Sequence, residues 1–125
     1  MATRVDTPDL TVTARIEGDA QVVAATGELD LSTAPRLCLE VRRAAATGGR
    51  PLVVIDLRGV EFTDSTGLRA LLCTTQEVRA LSGATAVVAA PGSQVDRLLT
   101  LAGAREFLAV ARTPRDAVAI VAGRA

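Results

Sequence analysis

The chain has 125 residues, 14 basic and 14 acidic side chains, and no formal net charge. That length suits one domain able to bury roughly two thirds of its unfolded surface, so a core can form without disulfides or metal. Balanced charge argues against a nucleic-acid binder or a polybasic membrane anchor. The absence of histidine excludes Ser-His-Asp and Cys-His nucleophile pairs and removes the commonest zinc ligand.

Residues 1–9 read as a flexible N-terminal tail without the apolar stretch of a signal peptide. Leu10 to Ile16 alternates apolar and polar residues, as a half-buried edge strand does. Glu17-Gly18-Asp19 is a turn, and Gln21 to Thr26 a second strand pairing as a hairpin. Gly27 to Thr33 then leaves the sheet. Ser32 or Thr33 can cap a helix in which Pro35 suits the first turn and Leu37, Val41, Ala44 and Ala45 repeat at helical spacing. Gly48-Gly49 stops it.

Leu52 to Leu57 is a continuous apolar run interrupted only by Asp56, the pattern of a strand covered on both faces. Arg58 to Thr63 reads as a loop. A long helix follows from about Asp64 to Leu81, with Leu68, Leu71, Leu72, Thr75 and Val78 as its buried stripe. Arg69, Cys73, Gln76 and Ala80 share its outer face, which reads as solvated surface with part of a partner face as the alternative, and Arg36, Arg42 and Arg43 read as solvated. Thr85 to Ala89 is a further strand. Ser93 and Asp96 have capping-box spacing before a helix closed by Gly103. Phe107 to Ala111 reads as a last strand, and Thr113-Pro114 opens a final helix.

From the second strand on, strands and helices alternate. The expected fold class is therefore α/β, with a mixed, mostly parallel sheet of about five strands and about four helices, in a single domain over residues 10–122. With two Phe, no Trp and no Tyr, the core must be aliphatic. No apolar run approaches the ~20 residues of a membrane span, so the expected protein is soluble and cytoplasmic, with a monomer as the default state. Cys38 and Cys73 lie far apart outside any CxxC motif. They read as reduced thiols on helices, with a redox switch as the alternative.

In open α/β sheets, sites form beyond the carboxyl ends of the strands. The loops expected there, Gly27 to Thr33, Arg58 to Ser65 and Ala90 to Ser93, carry Glu28, Asp30, Glu61, Asp64, Ser65 and Thr66. Acids and hydroxyls converge there without a base. Asp64-Ser65-Thr66-Gly67 at a helix start admits two readings. Asp or Ser there caps orphan backbone N–H groups. Alternatively, a hydroxyl at a helix start is a favourable place for a phosphate, because free N–H groups and the positive dipole end stabilise the dianion. Neither a Gly-x-Ser-x-Gly elbow nor a P-loop is present, and the chain has no Lys. Ser65 thus suits the substrate of another enzyme better than a nucleophile, and no catalytic residue, cofactor or metal is expected.

Three segments together carry a resemblance: Gly27-Glu28-Leu29-Asp30, Val53-Val54-Ile55-Asp56-Leu57, and Phe62-Thr63-Asp64-Ser65-Thr66-Gly67-Leu68. They resemble the STAS domain, and within it the anti-sigma factor antagonists, over about residues 10 to 122. The resemblance implies a partner switch. The unphosphorylated antagonist binds an anti-sigma factor that is also a Ser/Thr kinase of the GHKL type, freeing a sigma factor. The kinase phosphorylates the serine after the motif's aspartate, which maps to Ser65, and a PP2C-type phosphatase resets it. Asp30 and Asp64 match the acidic positions beside the acceptor, Glu28 and Gly67 complete its surroundings, and Thr66 is a secondary acceptor candidate. The alternatives are a STAS scaffold or ligand-sensing module without phospho-switching, a small enzyme of unknown type, and a fragment of a sulfate-transporter tail. A Met-initiated chain with no membrane segment speaks against the last.

Overall fold

In the computed structural model the described residues are 3–6 and 9–123, with residues 3–6 described by backbone only. Six strands form one sheet in sequence order: β1 (Thr3–Asp6), β2 (Leu10–Glu17), β3 (Ala20–Leu29), β4 (Leu52–Thr63), β5 (Ala84–Val88) and β6 (Val110–Ala111). The first three are joined antiparallel, and the pairings from β3 through β6 are parallel. Helices α1 (Ala34–Ala45), α2 (Ser65–Ala80) and α3 (Gln94–Leu101) fill the three crossovers, and α4 (Pro114–Gly123) follows β6. The fold class is the expected one.

Two apolar layers enclose the sheet. Alternate residues of β4 supply both, because successive side chains of a strand point to opposite faces. Val53, Ile55 and Leu57 join Leu37 and Val41 of α1, Leu68 and Leu71 of α2, and Val95 and Leu99 of α3. Val54 instead joins Val22, Ala86, Val88, and Ala117 and Val121 of α4. Both layers are aliphatic. Phe62 and Phe107 lie at the surface, 42% and 60% exposed. Asp56 is tolerated in a buried strand because Arg58, on the same face, holds both its oxygens at 3.0 and 2.9 Å.

Four expectations are corrected. The segment read as a flexible tail contains β1, which pairs Thr3 to Asp6 with Ala14 to Thr11 and gives the sheet six strands instead of about five. Four residues of weak alternation are too short a signal to separate from a tail, and a strand of that length is held by its partner's ladder. The rest of that expectation, at residues 1, 2, 7 and 8, lies outside the described residues. Arg58 to Thr63 is not a loop but the second half of β4, and Glu28 and Leu29 belong to β3. Register shifts between Ala24 and Thr26 and between Gly27 and Glu28 carry the pairing through. Gly59 makes this workable, since a Cβ there would stand 2.5 Å from Thr26 Oγ1. The last strand shrinks to Val110–Ala111, because Ala104–Glu106 takes a 3-10 turn.

Candidate functional site

The long strands β3 and β4 end side by side, with Glu28 opposite Phe62 and Leu29 opposite Thr63. Beyond them only two short connections remain, residues 30–33 and Asp64.

The first connection is an Asx turn. Asp30 Oδ1 accepts from the Ser32 amide at 3.0 Å, the Ser32 hydroxyl at 2.8 Å and the Thr33 amide at 3.2 Å. Thr33 Oγ1 donates to the Glu28 carbonyl at 2.7 Å and accepts from the Asp30 amide at 3.0 Å. Thr33 is the residue before α1, yet its hydroxyl makes no cap bond to the helix, being engaged backward on the turn. The Ser32 hydroxyl foremost, and then the amides of Ser32 and Thr33, hold the Asp30 carboxyl below its ordinary value. Asp30 is thus an anion locked into its own loop.

The second connection starts α2. Asp64 is extended, and its Oδ1 accepts from the Gly67 amide at 2.9 Å. The Leu68 amide bonds to the Asp64 carbonyl at 3.0 Å. The amides of Ser65 and Thr66 remain among the orphan donors of the helix start. Thr63 is fixed from the other side by Gln94, the first residue of α3, whose Oε1 accepts the Thr63 amide at 3.0 Å.

Of the two readings of the motif, the geometry shows the cap: Asp64 supplies it, which leaves the Ser65 hydroxyl free of that duty. Ser65 is exposed, Thr66 half-buried and Gly67 buried. Gly67 sets how close α2 comes to the sheet, since a Cβ there would stand 2.5 Å from the Leu29 carbonyl and 2.6 Å from Thr63 Oγ1. The structure thus brings the ends carrying Glu28, Asp30, Asp64, Ser65, Thr66 and Gly67 to one edge of the sheet. Among the described residues, no hydrogen bond joins Ser65 to any of the three carboxylates.

Sequence reasoning missed two features. Arg69 lines a notch of about 180 Å³ with Ser65 and Thr66. The signal was available, since residues four apart on a helix are neighbours. Next to it, α1 and α2 enclose an apolar groove of about 330 Å³ bordered by Leu31, Pro35, Cys38, Thr66, Ala70 and Cys73. Leu31 is 74% exposed at its mouth. No signal in the one-dimensional pattern places two helices of a parallel sheet next to each other at a given level. The Arg42–Glu77 ion pair, 2.7 Å, closes the far end, so Arg42, expected to be simply solvated, has a partner.

A family model described as the STAS domain matches residues 11–117. The chain belongs to the STAS domain family. Several solved STAS-like structures align over nearly the whole chain. An anti-sigma factor antagonist from Mycobacterium paratuberculosis is 30% identical with a TM-score of 0.79, covering 94% of this chain and 98% of that one. An anti-sigma-factor antagonist (STAS) domain protein from Planctomyces limnophilus is 17% identical with a TM-score of 0.71, covering 89% and 97%. The phosphorylated form of the Bacillus cell fate determinant SpoIIAA is 20% identical with a TM-score of 0.64, covering 88% and 98%. At those two identities the likeness is one of fold. No curated protein sequence matches the chain. No helix of this STAS domain is long and apolar enough to cross a membrane among the described residues, and no cluster of three or more metal-ligating side chains occurs among them.

Proposed function

We propose that this STAS domain is an anti-sigma factor antagonist that binds an anti-sigma factor Ser/Thr kinase of the GHKL type and is released when that kinase phosphorylates Ser65. A PP2C-type phosphatase restores the binding form. The observation that carries the proposal is the exposed hydroxyl of Ser65 in the first turn of α2, beside a cap that Asp64 already supplies.

The switch follows from charge. A phosphate brings about −1.5 to −2 charges to Ser65. In the free protein the unpaired amides of the first turn and the Arg69 guanidinium one turn on are both placed to stabilise it. In the complex Ser65 lies within the kinase-bound surface, where the same phosphate is desolvated among Glu28, Asp30 and Asp64. Taking a charge out of water costs several kcal/mol unless the partner surface repays it. Each ~1.4 kcal/mol is tenfold in affinity, so one modification converts a tight complex into a negligible one.

The test is an intact-mass assay with candidate GHKL kinases and ATP on wild type and Ser65→Ala. One phosphate on wild type alone is the expected result. By calorimetric titration Ser65→Asp binds the kinase at least tenfold more weakly than wild type, whereas Ser65→Ala binds as wild type does and cannot be released. A phosphate on both proteins moves the acceptor to Thr66 or elsewhere. No phosphate with any candidate favours the second reading, a ligand-sensing STAS module. The observation behind that second reading is the α1–α2 groove, whose volume is at the lower end of small-molecule sites.

A further inference from the structure

The two cysteines, 35 positions apart in sequence, border the same groove. Cys38 lies on α1 and is 9% exposed; its Sγ donates to the Ala70 carbonyl of α2 at 3.7 Å. Residues 70, 73, 74 and 77 of a helix outline one hole on its surface, and a side chain reaching the Ala70 carbonyl enters that hole. Cys73, Thr74 and Glu77 complete its rim, and Glu77 pairs with Arg42, one turn on from Cys38. The buried Thr74 hydroxyl, which has no other partner, lies close enough to the Cys38 sulfur to favour its thiolate, an effect that burial outweighs. The level at which α1 and α2 meet thus brings the buried thiol against the turn that carries the exposed one.

We infer that Cys38 and Cys73 form an oxidisable dithiol, closed by peroxide to an intramolecular disulfide that pins α1 to α2 across the groove. The asymmetry of the two thiols sets the order of events. Cys73 is exposed and meets the oxidant first. Its thiolate attacks one peroxide oxygen, the O–O bond breaks, and the products are a Cys73 sulfenic acid and hydroxide, which takes up the proton that Cys73 released. Burial pushes the Cys38 thiol up, so it stays protonated and shielded at this stage. Its sulfur then attacks the sulfenic sulfur. The S–S bond forms as the S–O bond breaks, and the departing hydroxide leaves with the Cys38 proton as water. Overall two thiols and one peroxide give one disulfide and two waters. The chemistry does not depend on phosphate transfer to Ser65, although the bond lies one to two turns from Thr66.

The test treats the reduced full chain with hydrogen peroxide and reads intact mass and an arginine-specific digest. The expected product has lost two hydrogens and contains the peptide of residues 37–42 linked to that of residues 70–79, in a linkage reversed by reductant. Its rate of formation does not change with protein concentration, and the linked protein unfolds at higher denaturant than the reduced one. Cys38→Ser instead accumulates oxygen on Cys73 or dimerises through it, and Cys73→Ser reacts far more slowly. Wild type that ends with oxygen on Cys73 and no intramolecular linkage, or that links only between molecules, overturns the inference. Because the digest of the wild-type chain decides this alone, a variant that folds poorly does not blunt the test.

Discussion

Gly67 is the residue on which the position of Ser65 depends. Alanine is the better helix former by about 1 kcal/mol, so on propensity alone Gly67→Ala should stabilise α2. The space decides otherwise. A Cβ at 2.5 Å from the Leu29 carbonyl meets backbone that is itself paired in the sheet, and the second near atom belongs to buried Thr63. Overpacking of this kind costs about 1–3 kcal/mol and moves backbone. The expected outcome is a net loss of up to about 2 kcal/mol in chemical denaturation. Gly49→Ala, with open space around it, should be neutral or slightly stabilising through the unfolded chain. Equal stability of Gly67→Ala and wild type would show that the end of β3 yields freely and does not fix the start of α2. The Ser65 side chain itself makes no such demand, which is why a sequence reading finds it only through its neighbours.

At the scale of elements, what was legible in the sequence and what was not divide along the strength of the local signal. The apolar run of β4 and the periodic stripes of α1 and α2 are long, and the structure has them where the pattern put them. Leu72 is the exception in the stripe, only half-buried while Thr74 is buried. The second half of β4 was hidden because Arg58, Gly59 and Glu61 are residues of turns, and only pairing with β3 through two register shifts makes them a strand. β1 was hidden because a short edge strand has no face pattern of its own. The connection before α1 was read as a cap, and its real organiser is Asp30. This has a pH consequence. The carboxyl of Asp30 is held below its ordinary value of 3.8, chiefly by the Ser32 hydroxyl. A carboxylate favoured by the fold contributes stability that is fully present above its unfolded pKa and is lost as pH falls through the lower folded one. Wild type and Asp30→Asn should therefore differ most in denaturation midpoint from about pH 5 upward and converge in acid, below the ordinary carboxylate range. A difference that stays constant from neutral pH down to about pH 2 would assign the effect of the substitution to lost turn geometry alone.

For the whole molecule, the two faces of the sheet are unequally protected. Three helices cover one face, whereas α4 alone packs into the other layer, with Ala117 and Val121 fully buried and Val118 and Ile120 partly so. Beneath it Val22, Val54, Ala86 and Val88 have almost no exposure. The candidate site is built by α1, α2 and the ends of β3 and β4, so α4 serves it only by completing the core. Removing two methyl groups from a fully buried valine loses about 0.8 kcal/mol for each in transfer alone, before any cavity cost. Val121→Ala should accordingly cost about 2 kcal/mol, and Val118→Ala, at a half-buried position, less. A chain ending at Arg112 exposes that layer as one contiguous apolar patch, which soluble monomers avoid at large size. It should lose its cooperative unfolding transition or associate, as read by light scattering and by binding of an apolar dye. A truncated chain that stays monomeric and unfolds cooperatively near the wild-type midpoint would mean that the three-helix layer carries the fold, and that the layer under α4 is dispensable to it.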